Sequence, residues 1–186
     1  MEYLDVVDEF GEPTGEITER SEAHRKGIRH RTSHVWIYSL EKDKPFILVQ
    51  KRCSHKDSYP NCYDISSAGH IPAGIGYEES AIRELKEELG LEIDINQLQY
   101  IGQNAIYSEE EFYGEKFTDN QIYNVYMLQL PVNTVFTLQE SEIDDVKWFE
   151  FDDLCNAVKN NNIKHCIIYD ELMMISGFFG GEVNEK

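Results

Sequence analysis

The chain lacks any apolar run approaching the roughly 20 residues that a membrane-spanning helix needs. Its opening residues, MEYLDVVDEF, are acidic and carry no apolar signal core. Both absences predict a protein that is neither exported nor embedded in a membrane, and they place it in the cytoplasm. Cysteine is scarce: Cys53, Cys62, Cys155 and Cys166 are the four, and no two form a C-x-x-C pair. Such a set reads as reduced thiols, since a disulfide or zinc site would need partners distant in the chain. Cations are few, with 17 Lys and Arg against 35 Asp and Glu, a net charge of −18. That surface repels a phosphate polymer and attracts divalent cations, so general nucleic-acid binding is disfavoured. Repeats, low-complexity tracts and obvious linkers are absent as well.

What is present suits one domain. The chain has 186 residues, 41% of them hydrophobic, enough to bury a core without room for two full domains. We read residues 1–186 as a single unit with an N-terminal hairpin extension (about 1–30) and a C-terminal helical segment (about 152–180). Tyr3 to Val7 and Glu16 to Thr18 read as the hairpin strands, around turn chemistry at Gly11 to Gly15. Ser21 reads as the cap of a short helix that Gly27 ends. Strands are predicted at Val35–Leu40, Phe46–Gln50, Asp64–Ala68, Leu98–Ile106, Ile122–Leu130 and Val146–Phe151, and the acidic stretch Ser108–Asn120 reads as a loop. Asp152 or Asp153 reads as the cap of a helix to Lys159, and Ile163–Ile175 as a last helix. Strands interspersed with a few helices predict an α/β fold, a mixed sheet covered on both faces.

The most definite helix is Glu78–Leu89, followed by Gly90. Glu84, Glu87 and Glu88 stand at i, i+3 and i+4, within an arc of roughly 100° on one face. Like charges at those spacings repel, and two of them lie in the last turn, where the helix dipole prefers cations. Hard divalent cations resolve that conflict, because carboxylate oxygens are what Mg²⁺ and Mn²⁺ select. A plain solvated acidic face is the competing reading of the helix alone.

The surrounding segment, Gly69 to Leu91, resembles the Nudix box, G-x5-E-x7-R-E-U-x-E-E-x-G-U with U aliphatic. Gly69 matches the first glycine, and Arg83-Glu84-Leu85-Lys86-Glu87-Glu88-Leu89-Gly90-Leu91 matches the whole second half in register. The resemblance implies a Nudix-type α/β/α sandwich with a mixed sheet. It implies Mg²⁺ or Mn²⁺ held by Glu84, Glu87, Glu88 and the Gly69 carbonyl, with Arg83 orienting the carboxylates. Ile75 departs from the box, where a supporting glutamate is usual, and its presence leaves Arg83 short of a partner.

The flanks are similar to the isopentenyl-diphosphate-isomerase-like branch of that family. The matching segments are Leu4 to Glu9, Glu22 to Gly27, His30-Arg31, Gln50-Lys51-Arg52 and Tyr63 to His70. The isomerases place a cysteine just before the Gly-His pair and a Glu-x-Glu ahead of a Val-Tyr strand; here those places hold Ala68 and Asp119-Asn120-Gln121. Isomerisation is therefore disfavoured.

The reading that follows is a divalent-metal-dependent hydrolase. It cleaves a diphosphate bond in a small nucleotide-like or other diphosphate substrate, by attack of metal-activated water on phosphorus. Glu87 or Glu88 is the first candidate for the proton-accepting group, then Asp119, and one of Glu109, Glu110, Glu111 and Glu115 can complete the site. Arg20, Lys51, Arg52 and Lys56 are the candidate phosphate-binding cations, with His24 and His30 as helpers. The competing class is a catalytically weak Nudix-like module that binds a phosphorylated ligand, a reading motivated by Ile75 and Gln121. A homodimer is implied by resemblance only.

Overall fold

In the computed structural model, which describes residues 1–180, Tyr3–Val7 forms β1 and Pro13–Glu19 forms β2. They pair antiparallel as a separate two-stranded sheet. Asp8 makes the turn between them, its Oδ1 accepting from the backbone N–H groups of Phe10 and Glu12 at 2.9 and 3.0 Å. The ladder runs one step past β2, where Arg20 N–H donates to the Glu2 carbonyl. Helix α1 (Arg20–Lys26) starts at that point, so Ser21, predicted to cap it, lies inside it. Gly27 ends the helix at φ 68°, the left-handed conformation that costs glycine least.

Among the described residues the main sheet has seven strands: β3 (His30–Glu41), β4 (Lys44–Arg52), β5 (Tyr63–Asp64), β6 (Ser67–His70), β7 (Leu98–Phe112), β8 (Glu115–Gln129) and β9 (Ile143–Glu150). Its order is β5-β4-β3-β8-β7, with β6 on the outer part of β3 and β9 on β4. β3 and β8 are parallel and the other pairs antiparallel, so the sheet is mixed. The remaining helices are α2 (Tyr77–Leu89), α3 (Phe151–Lys159) and α4 (Tyr169–Phe178).

Strand alternation makes β3 feed two cores at once. Trp36 and Tyr38 pack with Tyr123, Val125 and Met127 of β8 and with apolar residues of α3 and α4. Val35 and Ile37 pack on the other face with Tyr126, Leu128 and the α2 residues Ala81, Leu85 and Leu89. Each such side chain contributes about 1.5–3 kcal/mol by leaving water. The outcome is the α/β/α sandwich the sequence pointed to. No helix among the described residues is long and apolar enough to cross a membrane.

Further boundaries differ from the sequence reading, and the strand expected over Asp64–Ala68 is two short strands, β5 and β6. The acidic stretch Ser108–Asn120 is a hairpin, not a loop: β7 and β8 stay paired out to Phe112 and Glu115. Tyr113 and Gly114 turn it with φ of 54° and 83°, the double positive φ of a tight hairpin turn. Its acids alternate with little burial, which removes the apolar signature of a strand. The final helix begins at Tyr169 rather than Ile163, because the chain before it runs extended beside β5: Tyr63 N–H donates to Lys164 O and Cys166 N–H to Tyr63 O. Asp152 and Asp153 occupy the first turn of α3, and Glu150 is the flanking residue.

Candidate active site

Helix α2 lies with its glutamate edge against β6. The approach is close enough that a Cβ on Gly69 would sit under 3.0 Å from the Glu84 side chain. Only glycine leaves room for that carboxylate beside the backbone. Glu88 is buried, and its Oε2 accepts from the Ser67 hydroxyl at 2.7 Å. Glu87, next to it in the chain, is the exposed member of the three. Arg83 ties the set together, donating to Glu84 at 2.5 Å, to Glu87 at 3.0 Å and to the His70 carbonyl at 3.2 Å. The helix's own glutamates and the His70 carbonyl satisfy the two terminal nitrogens of Arg83, but its Nε is buried without a partner among the described residues, so Arg83 is one partner short, as the resemblance had implied.

Burial is the main force on these acids. It pushes Glu88 up to about 8, with the Ser67 hydroxyl opposing and the Glu84 charge adding. It pushes Glu84 up to about 7, against Arg83 and with Glu87. Asp119 on β8 is raised by burial to about 6, and its Oδ2 accepts from the Gln121 amide at 3.0 Å.

One cavity of about 410 Å³ gathers the candidates. Glu84, Glu87, Glu88, Gly69, Arg83, Asp119, Arg20, His24, Arg52 and Lys56 all line it. Arg52 is held by Asp64 (2.9 Å) and the Ser58 carbonyl, Lys56 pairs with Glu142, and Arg20 with Glu2 (3.1 Å). Two of the phosphate-binding candidates fall outside. Lys51 stands between Gln50 and Arg52 on β4, both of which line the cavity, so alternation turns it away. His30 is fully buried behind the wall, its ring 4.9 Å from that of His24 and 5.1 Å from that of His70. The candidate acids Glu109, Glu110, Glu111 and Glu115 of the hairpin do not line the cavity. Lys51→Ala is expected to leave kcat/KM within about twofold, and Arg52→Ala to lower it about tenfold or more, in steady-state assays.

Sequence reasoning missed His70, His34 and Glu171. The first completes a cluster, since one nitrogen from each of His24, His30 and His70 lies within 4.8 Å of the others. His24 Nδ1 faces the Thr118 carbonyl at 3.3 Å and His30 Nδ1 the Ile28 carbonyl at 2.9 Å. A carbonyl only accepts, so both rings carry hydrogen on Nδ1 and present bare Nε2 atoms. His24 Nε2 meets His70 Nε2 at 2.9 Å, while His30 Nε2 is buried without a partner among the described residues. Burial holds all three neutral: it lowers His24 to about 3, lowers His30, and puts His70 well below the ordinary histidine value. Neutral imidazoles of this kind can hold a divalent transition ion. The Gly-His pair was the available signal for His70; its proximity to His24 is purely tertiary.

The glutamate site also fits a cation. Its donors are hard carboxylate and carbonyl oxygens, two of the acids are desolvated and mutually repulsive, and Gly69 leaves space where a Cβ would intrude. That burial predicts a pH dependence. For carboxyls raised on folding, the stabilising contribution is present below the ordinary value of 4.5 and is lost as the pH rises through about 7 to 8. The metal-free protein should therefore melt lower at pH 8.5 than at pH 6. Added Mg²⁺ should raise Tm by at least about 4 °C more at the higher pH, where no proton need be displaced; differential scanning fluorimetry reads both effects.

Known proteins resemble this chain in sequence and in fold. A family model described as the NUDIX domain matches residues 29–170. An uncharacterised Nudix hydrolase of Clostridium acetobutylicum is 38% identical over 160 residues, covering 86% of this chain and 75% of that protein. Nudix hydrolase 3 of Arabidopsis thaliana is also 38% identical, over 87% of this chain but only 21% of its own length. The crystal structure of a Deinococcus radiodurans protein superposes with a TM-score of 0.68 at 20% identity, covering 92% of this chain and 98% of that one, a likeness of fold. The chain belongs to the Nudix family and is a Nudix-type hydrolase.

Proposed function

We propose that the protein hydrolyses the diphosphate bond of a small molecule, using a divalent cation, Mg²⁺ or Mn²⁺. The observation that carries this reading is the meeting of Glu84, Glu87 and Glu88 with Arg20, Arg52 and Lys56 around one cavity on a chain of net charge −18. An acidic surface with a locally cationic pocket favours a compact polyanion over a phosphate polymer.

Glu84, Glu87, Glu88 and the Gly69 carbonyl would hold the cation, whose chemistry is to neutralise phosphoryl oxygens and to acidify water. Arg52 and Arg20 bind phosphate oxygens by charge-assisted hydrogen bonds, and Lys56 adds a point charge. Arg83 keeps the Glu84 and Glu87 carboxylates oriented. Glu87 or Glu88 accepts the proton of the attacking water, and Asp119 is the alternative acceptor across the cavity. Isomerisation is disfavoured, because Ala68 lines the cavity at the place where a proton-transferring side chain would be needed and Gln121 cannot act as a base.

The test is incubation with Mg²⁺ or Mn²⁺ and a panel of nucleoside di- and triphosphates, nucleotide sugars, dinucleoside polyphosphates and isopentenyl diphosphate, with products read by mass. Cleavage that stops on chelation supports the reading. Tight binding of one compound without cleavage points instead to a ligand-binding module, and double-bond migration without phosphate release to an isomerase.

A further inference from the structure

The wall of the cavity nearest α4 supplies the mechanism above with no group other than Asp119. It is built by strand parity. Thr32 and His34 share a face of β3 with Trp36, and Asp119 and Gln121 share that face of β8 with Tyr123. All four line the cavity, and so do Ser108 of β7 and Glu171 of α4.

Glu171 is fully buried and fully engaged. Its carboxylate oxygens lie 3.0 and 3.2 Å from His34 Nδ1, and Trp36 Nε1 donates to one of them at 2.6 Å. A carboxylate accepts, so Nδ1 carries hydrogen. Burial works against a charged imidazole here, but the Glu171 carboxylate, with Asp64 and Asp119, overcomes it and raises His34 above the ordinary histidine value. His34 Nε2 lies 3.3 Å from the Thr32 hydroxyl at the cavity wall, and between them the two groups can donate or accept. Asp119 Oδ1 is buried without a hydrogen-bond partner among the described residues, an acceptor still waiting for a donor.

We propose that this wall selects the organic half of the substrate, with His34 as a specificity-determining residue, and that the group it takes is hydroxylated and uncharged: a sugar or polyol joined to the diphosphate. The proposal rests on the hydrolase reading, since the diphosphate must sit at the glutamates. Three comparisons favour this class. A hydrocarbon chain would strand the His34–Thr32 pair and the Asp119 acceptor without water, which a buried site penalises heavily. An anionic group would meet the Asp119 carboxylate, and a cationic one would find the Glu171 carboxylate already taken by His34 and Trp36. Hydroxyls both donate and accept, matching the alternating His34, Thr32, Ser108, Asp119 and Gln121 groups. Ile106 and Ile168, on the same cavity, suit the apolar face of a sugar ring. Glu171 acts through His34 and is a positioning residue.

The test is calorimetric binding of ribose 5-diphosphate and n-pentyl diphosphate, matched in carbon number and charge, with Ca²⁺ in place of Mg²⁺ so that binding is read without turnover. Wild type should bind the pentose compound at least about tenfold tighter. His34→Phe should bring that ratio towards one, and His34→Gln, which keeps a donor, should retain part of it. Because His34→Phe strands Glu171 in the core and can fail to fold, Thr32→Val serves as a second variant and should lower the ratio about threefold or more. Equal affinities, or a preference for the pentyl compound, overturn the inference and leave the hydrolase reading standing. A wild-type preference unchanged in the folded variants overturns the role of His34. Binding of neither compound overturns the inference together with the reading beneath it.

Discussion

Replacing Glu88 with glutamine is expected to lower kcat at least about 10³-fold, on the order of 4 kcal/mol of barrier, while leaving the fold at least as stable as wild type. The two effects come from the same fact. Glu88 is a buried carboxylate whose ionisation burial opposes, and Ser67 is its one hydrogen-bond donor among the described residues. An amide of the same shape keeps the Ser67 bond and removes the charge that is costly to desolvate, so Tm at pH 8.5 should rise by a few degrees. A cation held by carboxylates loses an anionic ligand in the same step. Steady-state kinetics and a melting curve on one preparation check both halves. A variant that is inactive only because it is unfolded would refute this account of the residue, since its Tm would fall.

Gly69→Ala is expected to have the second largest effect, and by a different route. The new Cβ would collide with the side chain of Glu84 rather than with backbone. A flexible carboxylate can swing aside, so the fold should survive with Tm lowered by no more than a few degrees. What is lost is the place Glu84 must occupy to serve as a ligand beside the Gly69 carbonyl. Mg²⁺ affinity and kcat should each fall about 10²-fold, the scale associated with small misplacements in a preorganised site. Calorimetric Mg²⁺ titration checks this directly. Unchanged affinity would mean that Glu84 does not hold the ion from where it now sits.

How much of this was legible in the sequence depends on how local the signal is. The glutamate helix and its glycine were readable, because a motif at fixed spacing places Glu84, Glu87 and Glu88 on one edge whatever the rest of the chain does. Lys51 shows a local signal overlooked: Gln50, Lys51 and Arg52 lie on one strand, and alternation puts the Lys51 side chain on the face opposite those of Gln50 and Arg52. The acidic hairpin was misread because its charges face water on both sides, leaving no alternation of burial to detect. The Tyr113-Gly114 pair that turns it was the only cue. His34 and Glu171 could not have been paired from sequence at all, since 137 residues separate them and only the docking of α4 brings them together. The same holds for the buried meeting of His24 and His70, 46 residues apart.

The claim on which everything else depends is that water attacks phosphorus in a small diphosphate at the glutamate site. The measurement that tests it most directly is cleavage of the best substrate in ¹⁸O-labelled water with Mg²⁺, reading each product by mass, with Glu87→Gln as the control. The account predicts one labelled oxygen in a phosphate-bearing product, no label in the organic group, and loss of the signal in the variant. Label appearing on carbon, or cleavage that persists undiminished in Glu87→Gln, would contradict it.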